Sequence, residues 1–91
     1  MYFVYILKSK VDQSYYKGHT NDIADRLRRH NNCEEKFSSK LAPWELVWCC
    51  IKENKSEAYR LEVKLKNLSR KRLEEFMLKY EDSELIRQFR P

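Results

Sequence analysis

Two tyrosines eleven positions apart are the first side chains in this sequence whose type and spacing suggest chemistry. Tyr5 and Tyr16 lie in two neighbouring segments that are rich in aromatic and β-branched residues, as strands are. Residues that face each other across paired strands approach within about 5 Å, so two phenols can share one site. Gly18, the only glycine of the chain, follows two residues after Tyr16. A glycine within a strand often marks a close approach of another group to the backbone.

Charged side chains on two predicted helices extend this candidate site. Arg26 and His30 are four residues apart and share one edge of a helix, where we expect both to lie at the rim of the buried face. Glu62 has the same relation to the apolar face of a later helix, and it is the only acid between Glu57 and Glu74. An acid among bases indicates either a metal ligand or an ion pair, and a carboxylate is a suitable ligand for Mg²⁺.

The elements that must position these side chains follow from the pattern of apolar residues. Strands are predicted over residues 2–7, 14–20 and 44–51, and we expect the third, the most apolar run, to be the central strand. A short helix begins after Thr20 or Asn21, the main amphipathic helix runs from a Ser56 cap to about Leu68, and Ser69 caps another. This order predicts an α+β domain with a three-stranded, mainly antiparallel sheet flanked by helices. The residues assigned to the core are Trp44, Leu46, Trp48, Ile51, Leu61 and Leu65.

Length and composition limit the class of protein. The chain has 91 residues with one glycine and two prolines, which predicts one domain over residues 1–80 and a partly docked C-terminal tail over 81–91. The mean hydropathy is −0.85, and no apolar run approaches the roughly 18 residues that cross a bilayer. The segment after Met1 has no signal-peptide features. Three cysteines without zinc or disulfide spacing favour buried, reduced thiols and a cytoplasmic location.

The charge distribution is compatible with a polyanionic partner. Nineteen Lys and Arg residues against fourteen Asp and Glu residues give a net charge of +5, and the sequence pI is about 9.2. The basic residues concentrate in two clusters, one of Arg26, Arg28 and Arg29 and one of Lys64, Lys66, Arg70, Lys71 and Arg72.

The order and spacing of Tyr5, Tyr16, Gly18 and the later helical residues resemble the GIY-YIG nuclease superfamily over roughly residues 2–73. Residues 2–7, 18–22, 26–31, 43–47 and 56–58 are similar to its short standalone bacterial members. The resemblance implies a three-stranded antiparallel sheet flanked by helices, and phosphodiester cleavage with one divalent metal. The sequence departs from the signature at Phe3, where the family has glycine, and at Lys17, where an apolar residue is usual.

The resemblance also implies roles for individual residues. Tyr5 and Tyr16 correspond to the signature tyrosines, one of which helps to activate water, and Arg26 to the arginine that steadies the phosphate. His30 corresponds to a neighbouring polar residue of the helix, and Glu62 to the ligand of Mg²⁺ or Mn²⁺. The residues that we expect to contact nucleic acid are Gly18, His19, Arg29, Lys64, Lys66 and Arg70.

The leading hypothesis is therefore a metal-dependent endonuclease acting on DNA. So small a domain has little surface for reading bases, which favours a preference for substrate structure or low sequence specificity. One alternative is a nucleic-acid-binding module that is catalytically weak or inactive and acts with a partner protein; another is a structural domain. Each of these residues also has a structural explanation when it is considered alone. The tyrosines are compatible with ordinary packing of strand side chains, and Arg26 and His30 with the basic end of a solvated helix. Glu62 is compatible with an ion pair to Lys66 on the helix surface. The oligomeric state is open.

Overall fold

The computed structural model describes residues 1–35 and 38–89, and these form one sheet with helices on both faces. The elements are β1 (Tyr2–Ser9), β2 (Tyr15–Thr20), α1 (Ile23–Asn31), a 3₁₀ turn (Ser39–Leu41), β3 (Trp44–Lys52), α2 (Lys55–Lys66), α3 (Arg70–Lys79) and α4 (Ser83–Phe89). The three strands of this part of the chain are antiparallel in the order β2-β1-β3. The predicted α+β class and the three-stranded sheet are confirmed.

The central strand is β1, and the prediction that residues 44–51 would be central is wrong. Residues 4–7 of β1 are consecutive, apolar and at most 2% exposed. A strand that helices cover on both faces reads as a continuous apolar run. Because β3 is also covered on both faces, its sequence has the same character although it pairs along one edge only. A continuous apolar run therefore indicates that both faces of a strand are covered, and it does not indicate whether the strand is central or at the edge of the sheet.

A β-bulge at Val47 changes which face of the sheet the β3 side chains occupy. Leu7 pairs with Leu46, whereas the preceding Ile6 pairs with Trp48, so one extra residue stands in β3. Without it, Leu46 and Trp48 would lie on the same face, because strand side chains alternate. The bulge places Leu46 in one core cluster and Trp48 in the other.

Two core clusters separate the helices into two layers. Tyr5 and Leu7 face α1 and α4, whereas Val4 and Ile6 face α2 and α3. Ile51, predicted in the core, is instead 46% exposed, because it stands one residue from the end of an edge strand. Among the cysteines, the prediction of burial is wrong for Cys33, which is exposed, and correct for Cys49.

The helix caps differ in part from the predicted ones. Asp22, and neither Thr20 nor Asn21, caps α1, because Thr20 is the last residue of β2. Asn54 caps α2 in place of Ser56, with its side chain accepting a bond from the amide of the third residue after it. Ser69 caps α3 as predicted.

The C-terminal segment contains a helix that packs on the sheet. Ile86 of α4 is 5% exposed and joins the cluster around Tyr5, and Phe89 contacts Phe3 edge-on with ring centroids 5.5 Å apart. The last two residues of the predicted tail lie outside the described residues. None of the helices in the part that the structure describes could cross a membrane.

Candidate active site

Two stacked phenols from neighbouring strands form the centre of the candidate site. Tyr16 pairs with Leu7 and Gly18 pairs with Tyr5 across the β1–β2 ladder, so the two tyrosines project from one face of the sheet. Their rings are inclined by 21° with centroids 6.3 Å apart. The structure thus brings together the two tyrosines that the sequence singled out.

Gly18 leaves room for the Tyr5 ring over the backbone of β2. A Cβ atom at this position would stand 2.6 Å from Tyr5 Oη and 2.7 Å from Tyr5 Cζ. Both separations are well below van der Waals contact. The glycine is therefore required by a close approach, in agreement with the expectation from its place in a strand.

His30 of α1 lies beneath the phenols and is fully buried, so the expectation that it stands at the rim of the helix is wrong. Its Nε2 is 3.2 Å from Tyr5 Oη and its Nδ1 is 2.6 Å from Ser38 Oγ. The Tyr16 ring meets the imidazole edge-on, with centroids 4.6 Å apart. Burial is tolerated because both ring nitrogens have hydrogen-bond partners.

Burial sets the protonation state of these three side chains. It lowers the pKa of His30 from 6.5 to about 4, an effect that Arg26 and Arg29 reinforce and Glu35 opposes. Burial likewise raises the pKa of Tyr5 and that of Tyr16 above their usual value of 10.0. At neutral pH the cluster therefore contains a neutral imidazole and two neutral phenols, which donate and accept hydrogen bonds without carrying charge.

The low pKa of His30 predicts a loss of stability in mild acid. Between about pH 4 and pH 6.5 the unfolded chain binds a proton at His30 that the folded chain does not, so the free energy of unfolding falls as the pH falls. We expect a loss of about 2 kcal/mol from pH 7 to pH 4.5 that is attributable to this residue. Urea unfolding at both pH values measures it, with His30→Gln as the comparison. An equal loss in the variant would contradict the assignment.

Arg26 stands beside the phenol cluster with an unsatisfied donor. Its Nε is buried and has no hydrogen-bond partner among the described residues, and Glu35 Oε1 lies 3.7 Å away. The Arg26 charge lowers the pKa of Tyr5, Tyr16 and His30, which shows that the guanidinium is electrostatically close to all three.

Glu35 and Ser38 belong to this site and were missed by the sequence reasoning. Glu35 faces Arg26 and also lies 3.8 Å from Nη1 of Arg29, a residue expected to contact nucleic acid. The segment between α1 and β3 is polar and without periodicity, so neither residue had a pattern that could single it out. The remaining signal was weak, namely two adjacent acids shortly after a basic helix end.

Glu62 lies on α2, where it bridges His19 and Lys66. It is 8% exposed, with Oε1 2.6 Å from His19 Nδ1 and Oε2 2.8 Å from Lys66 Nζ. Burial raises its pKa, but the bonds from Lys66 and His19 outweigh burial, and the net pKa is lowered. The carboxylate is therefore ionised at neutral pH. The ion pair with Lys66 exists, and it joins a nearly buried carboxylate to a lysine side chain that is 54% exposed.

The carboxylate of Glu62 interacts electrostatically with the two phenols but forms no hydrogen bond with them among the described residues. Within the described residues, the structure gives no hydrogen bond between Glu62 and either Tyr5 or Tyr16. The negative charge of Glu62 nevertheless raises the pKa of both phenols. Glu62 is thus electrostatically close to the phenols, although α2 packs on the opposite face of the sheet from Tyr5.

Two other residues expected to contact nucleic acid lie apart from this cluster. Arg70 stacks over the Tyr15 ring at 4.6 Å, donates to Gln13 O at 2.9 Å, and pairs with Glu74 at 3.6 Å. These contacts fasten α3 to the β1–β2 hairpin. Lys64 lines a groove between α2 and α3.

A divalent metal fits the donor chemistry of Glu62, although the chain supplies few ligands. The described residues contain no group of three His, Cys, Asp or Glu side chains that could enclose a metal. Mg²⁺ in phosphate-handling sites is commonly held by one or two carboxylates, with water and phosphate oxygens completing the shell. The ionised, nearly buried carboxylate of Glu62 meets that requirement.

Comparisons with known proteins agree with the fold and show the family. The family model described as the GIY-YIG catalytic domain matches residues 1–75. UPF0213 protein CPE1444 of Clostridium perfringens is 44% identical over 71 residues, which cover 77% of this chain and 75% of that protein. UPF0213 protein YazA of Bacillus subtilis is 36% identical over 74 residues, or 80% of this chain and 74% of that one. The solution NMR structure of UPF0213 protein BH0048 from Bacillus halodurans is similar with a TM-score of 0.60 and 31% identity, covering 96% of this chain and 94% of that chain.

Proposed function

The chain belongs to the GIY-YIG family, and from this membership we propose that it is a metal-dependent endonuclease that hydrolyses phosphodiester bonds in DNA. The observation that carries the proposal is the pair of stacked, neutral phenols beside the Arg26 guanidinium, a side chain that is 31% exposed. A guanidinium matches the geometry of a phosphate and binds it through charge-assisted hydrogen bonds.

The side chains have distinct roles in the proposed reaction. Arg26 binds a phosphate oxygen and offsets the charge that develops there. His30 and Ser38 fix the position of the Tyr5 hydroxyl through two consecutive hydrogen bonds. The structure shows no hydrogen-bond partner for the Tyr16 hydroxyl within residues 1–35 and 38–89, so it is available to orient the attacking water.

Glu62 is the residue that would hold Mg²⁺ or Mn²⁺. When bound, such an ion supplies a Lewis acid for the phosphoryl oxygen and lowers the pKa of its water. His19 holds the carboxylate through Oε1 and so fixes its direction, which is a positioning role in this mechanism.

The small size of the domain supports a preference for substrate structure over a long recognition sequence. We assign the nuclease activity to residues 1–80 and treat residues 81–91 as an accessory tail. We also propose a cytoplasmic location, because all three cysteines are free thiols.

A cleavage survey tests the proposal directly. The purified chain is incubated with end-labelled duplex, single-stranded, flap and hairpin DNA and with the matching RNAs, in Mg²⁺, Mn²⁺ or EDTA. We expect cutting of at least one DNA that requires a divalent metal, with RNA cut more slowly. Cutting that persists in EDTA would contradict the metal dependence, and binding without cutting in every lane would favour the second function described next.

The second candidate is a nucleic-acid-binding module without turnover. One observation favours it: both oxygens of Glu62 are already engaged, by His19 and by Lys66. In this arrangement a metal must compete with the Lys66 ammonium for Oε2. The endonuclease requires that a metal displace the Lys66 ammonium from Oε2 of Glu62, whereas the binding module does not.

Replacing Lys66 by methionine is expected to decrease the Mg²⁺ concentration that gives half-maximal cleavage. The variant frees Oε2 of Glu62, and an ion pair worth up to about 1 kcal/mol corresponds to a shift of about two- to fivefold. Metal titrations of the cleavage rate measure it, with Lys55→Met as the control because Lys55 is exposed and begins the same helix. An unchanged or increased Mg²⁺ requirement in Lys66→Met would show that Lys66 does not compete with the metal.

A further inference from the structure

A groove between α2 and α3 collects positive charge on the side of α2 away from Glu62. It has a volume of about 300 Å³, and its lining includes Lys64 from α2, Arg72, Phe76 and Lys79 from α3, and Tyr80, which follows the last residue of α3. Glu62 and Lys64 are two residues apart, which is about 200° around a helix. The groove is therefore separate from the Tyr5, Tyr16 and His30 cluster.

The cations of the groove differ from Lys66 and Arg70 of the same helices in their ion pairing. Lys66 is paired with Glu62, and Arg70 is paired with Glu74. In contrast, the described residues provide no ion-pair partner for Lys64, Arg72 or Lys79, although the Lys79 ammonium lies over the Tyr80 ring, 5.4 Å from its centroid. Glu75 is the one acid of the lining among the described residues. Three cations against one acid leave a net positive charge, which attracts an anionic partner with several charges.

Tyr80 adds a flat aromatic surface to the edge of the groove. Its ring is 53% exposed and is supported from behind by Phe76, with ring centroids 4.8 Å apart. Its backbone is fixed, because Trp48 Nε1 donates to Tyr80 O at 3.1 Å. A held but exposed ring beside cations is the combination on which unpaired bases stack while their phosphates are bound.

The spacing along α3 suits a strand of nucleic acid. Arg72 and Lys79 are seven residues apart, or about 10 Å along the helix axis, so they reach different phosphates of one strand. We propose that this groove binds an unpaired stretch of the substrate, outside the cutting site, with its phosphates on Lys64, Arg72 and Lys79 and a base on Tyr80. The ligand is the substrate of the nuclease, so in this respect the inference rests on the proposed function.

Fluorescence anisotropy in EDTA tests the groove without requiring catalysis. The probes are labelled 12-nucleotide single strands of DNA and of RNA and a blunt DNA hairpin. The double variant Arg72→Gln/Lys79→Gln is compared with Lys10→Gln/Lys55→Gln, which removes the same charge from exposed positions elsewhere. We expect the groove variant to weaken single-strand binding by about tenfold and to reduce the slope of log K against log salt by about 1.4, at about 0.7 per lost phosphate contact. The control should stay within about twofold of the unaltered chain on the same argument.

The aromatic part of the proposal has its own variants. Tyr80→Ala is expected to weaken single-strand binding by about fivefold or more, whereas Tyr80→Phe retains binding because it retains the stacking face. Neither substitution should alter hairpin binding comparably, because paired bases are not available to stack. Thermal unfolding of each variant shows that the effect is not a loss of fold.

Four outcomes overturn the groove. The first two are equal single-strand binding by the groove and control variants, and full single-strand binding by Tyr80→Ala. The third is competition by polyglutamate of matched charge that equals competition by the oligonucleotide, which would indicate an acidic protein partner. The fourth is no binding of any probe by the unaltered chain. Cleavage by the unaltered chain in Mg²⁺ is measured in parallel. If the unaltered chain cuts DNA and the groove variants bind single strands as well as it does, the groove proposal is refuted and the nuclease proposal is not. Groove-dependent binding with no cutting of any substrate would refute the nuclease and leave the groove standing.

Discussion

Replacing Glu62 by glutamine is expected to lower metal-dependent cleavage by about a thousandfold, the scale of effect when an electrostatic contributor to a phosphoryl or acyl transition state is removed. Glutamine keeps the size of the side chain and an oxygen that accepts from His19 or Lys66, but it removes the charge. A neutral amide is a much weaker ligand for Mg²⁺ than a carboxylate. The loss should therefore appear in the rate of cutting and be only partly restored by high metal concentration.

Glu74→Gln is the matched control for this experiment. Glu74 is also a helical carboxylate with a hydrogen-bonded partner, since it accepts from Tyr15 Oη at 2.7 Å, and its replacement removes the same charge. We expect it to leave cleavage within about threefold of the unaltered chain, as surface substitutions distant from a site usually do. Single-turnover cleavage of both variants gives the comparison, and oligonucleotide binding in EDTA confirms that substrate still binds. Cleavage by Glu62→Gln within tenfold of the unaltered chain would make Glu62 a structural anchor for His19 and Lys66.

The parts of the molecule that could be predicted from sequence are those with a local physical cause. The two strands that carry Tyr5 and Tyr16 follow from residue type and from a polar segment between them, and the α3 start follows from the Ser69 cap. The tyrosine pair and Gly18 were identifiable because antiparallel pairing brings together residues that are opposite, such as Tyr5 and Gly18, or diagonal on one face, such as Tyr5 and Tyr16. These features need only a strand, its neighbour and their register.

The remaining features depend on contacts between distant segments. His19 meets Glu62 across 43 positions, and this contact turns a helical acid of ordinary appearance into a buried bridge. The central position of β1 depends on its pairing with a strand along each edge, and an apolar run does not specify how many neighbours a strand has. The bulge at Val47 breaks the alternation that a strand pattern assumes, so the separate clusters of Leu46 and Trp48 had no sequence signal.

His30 shows why burial of a polar side chain is difficult to predict. Its spacing from Arg26 gives both residues the same helical edge, yet His30 is fully buried whereas 31% of the Arg26 side chain is exposed. The difference arises from Ser38, which lies eight residues later and accepts or donates at Nδ1. Without that partner, a buried imidazole would carry an unsatisfied nitrogen at a cost of about 1–3 kcal/mol.

Replacing Gly18 by alanine is expected to be the most damaging small substitution in the chain. The added Cβ would lie 2.6 Å from Tyr5 Oη, and the ring cannot retreat easily because Tyr5 is 2% exposed and held by His30. Overpacking of a rigid core costs typically 1–3 kcal/mol and occasionally more, and we expect about 3 kcal/mol here. Any displacement of the Tyr5 ring also breaks its bond to His30, so cleavage should fall together with stability.

A double-mutant cycle isolates the cause. Tyr5→Leu removes the two atoms that a methyl group at Gly18 would meet at 2.6 and 2.7 Å, and leaves only Tyr16 Cε1 at 3.2 Å. In that background Gly18→Ala should be close to neutral, because the gain of about 0.5–1 kcal/mol for alanine over glycine within a strand offsets a small shift of the Tyr16 ring. The predicted coupling between the two sites is therefore about 3 kcal/mol, in the upper range for residues in contact. Urea unfolding of the four proteins measures it. Additive costs would mean that the methyl group is opposed by the Tyr16 ring, whose Cε1 would stand 3.2 Å away, and not by the Tyr5 ring.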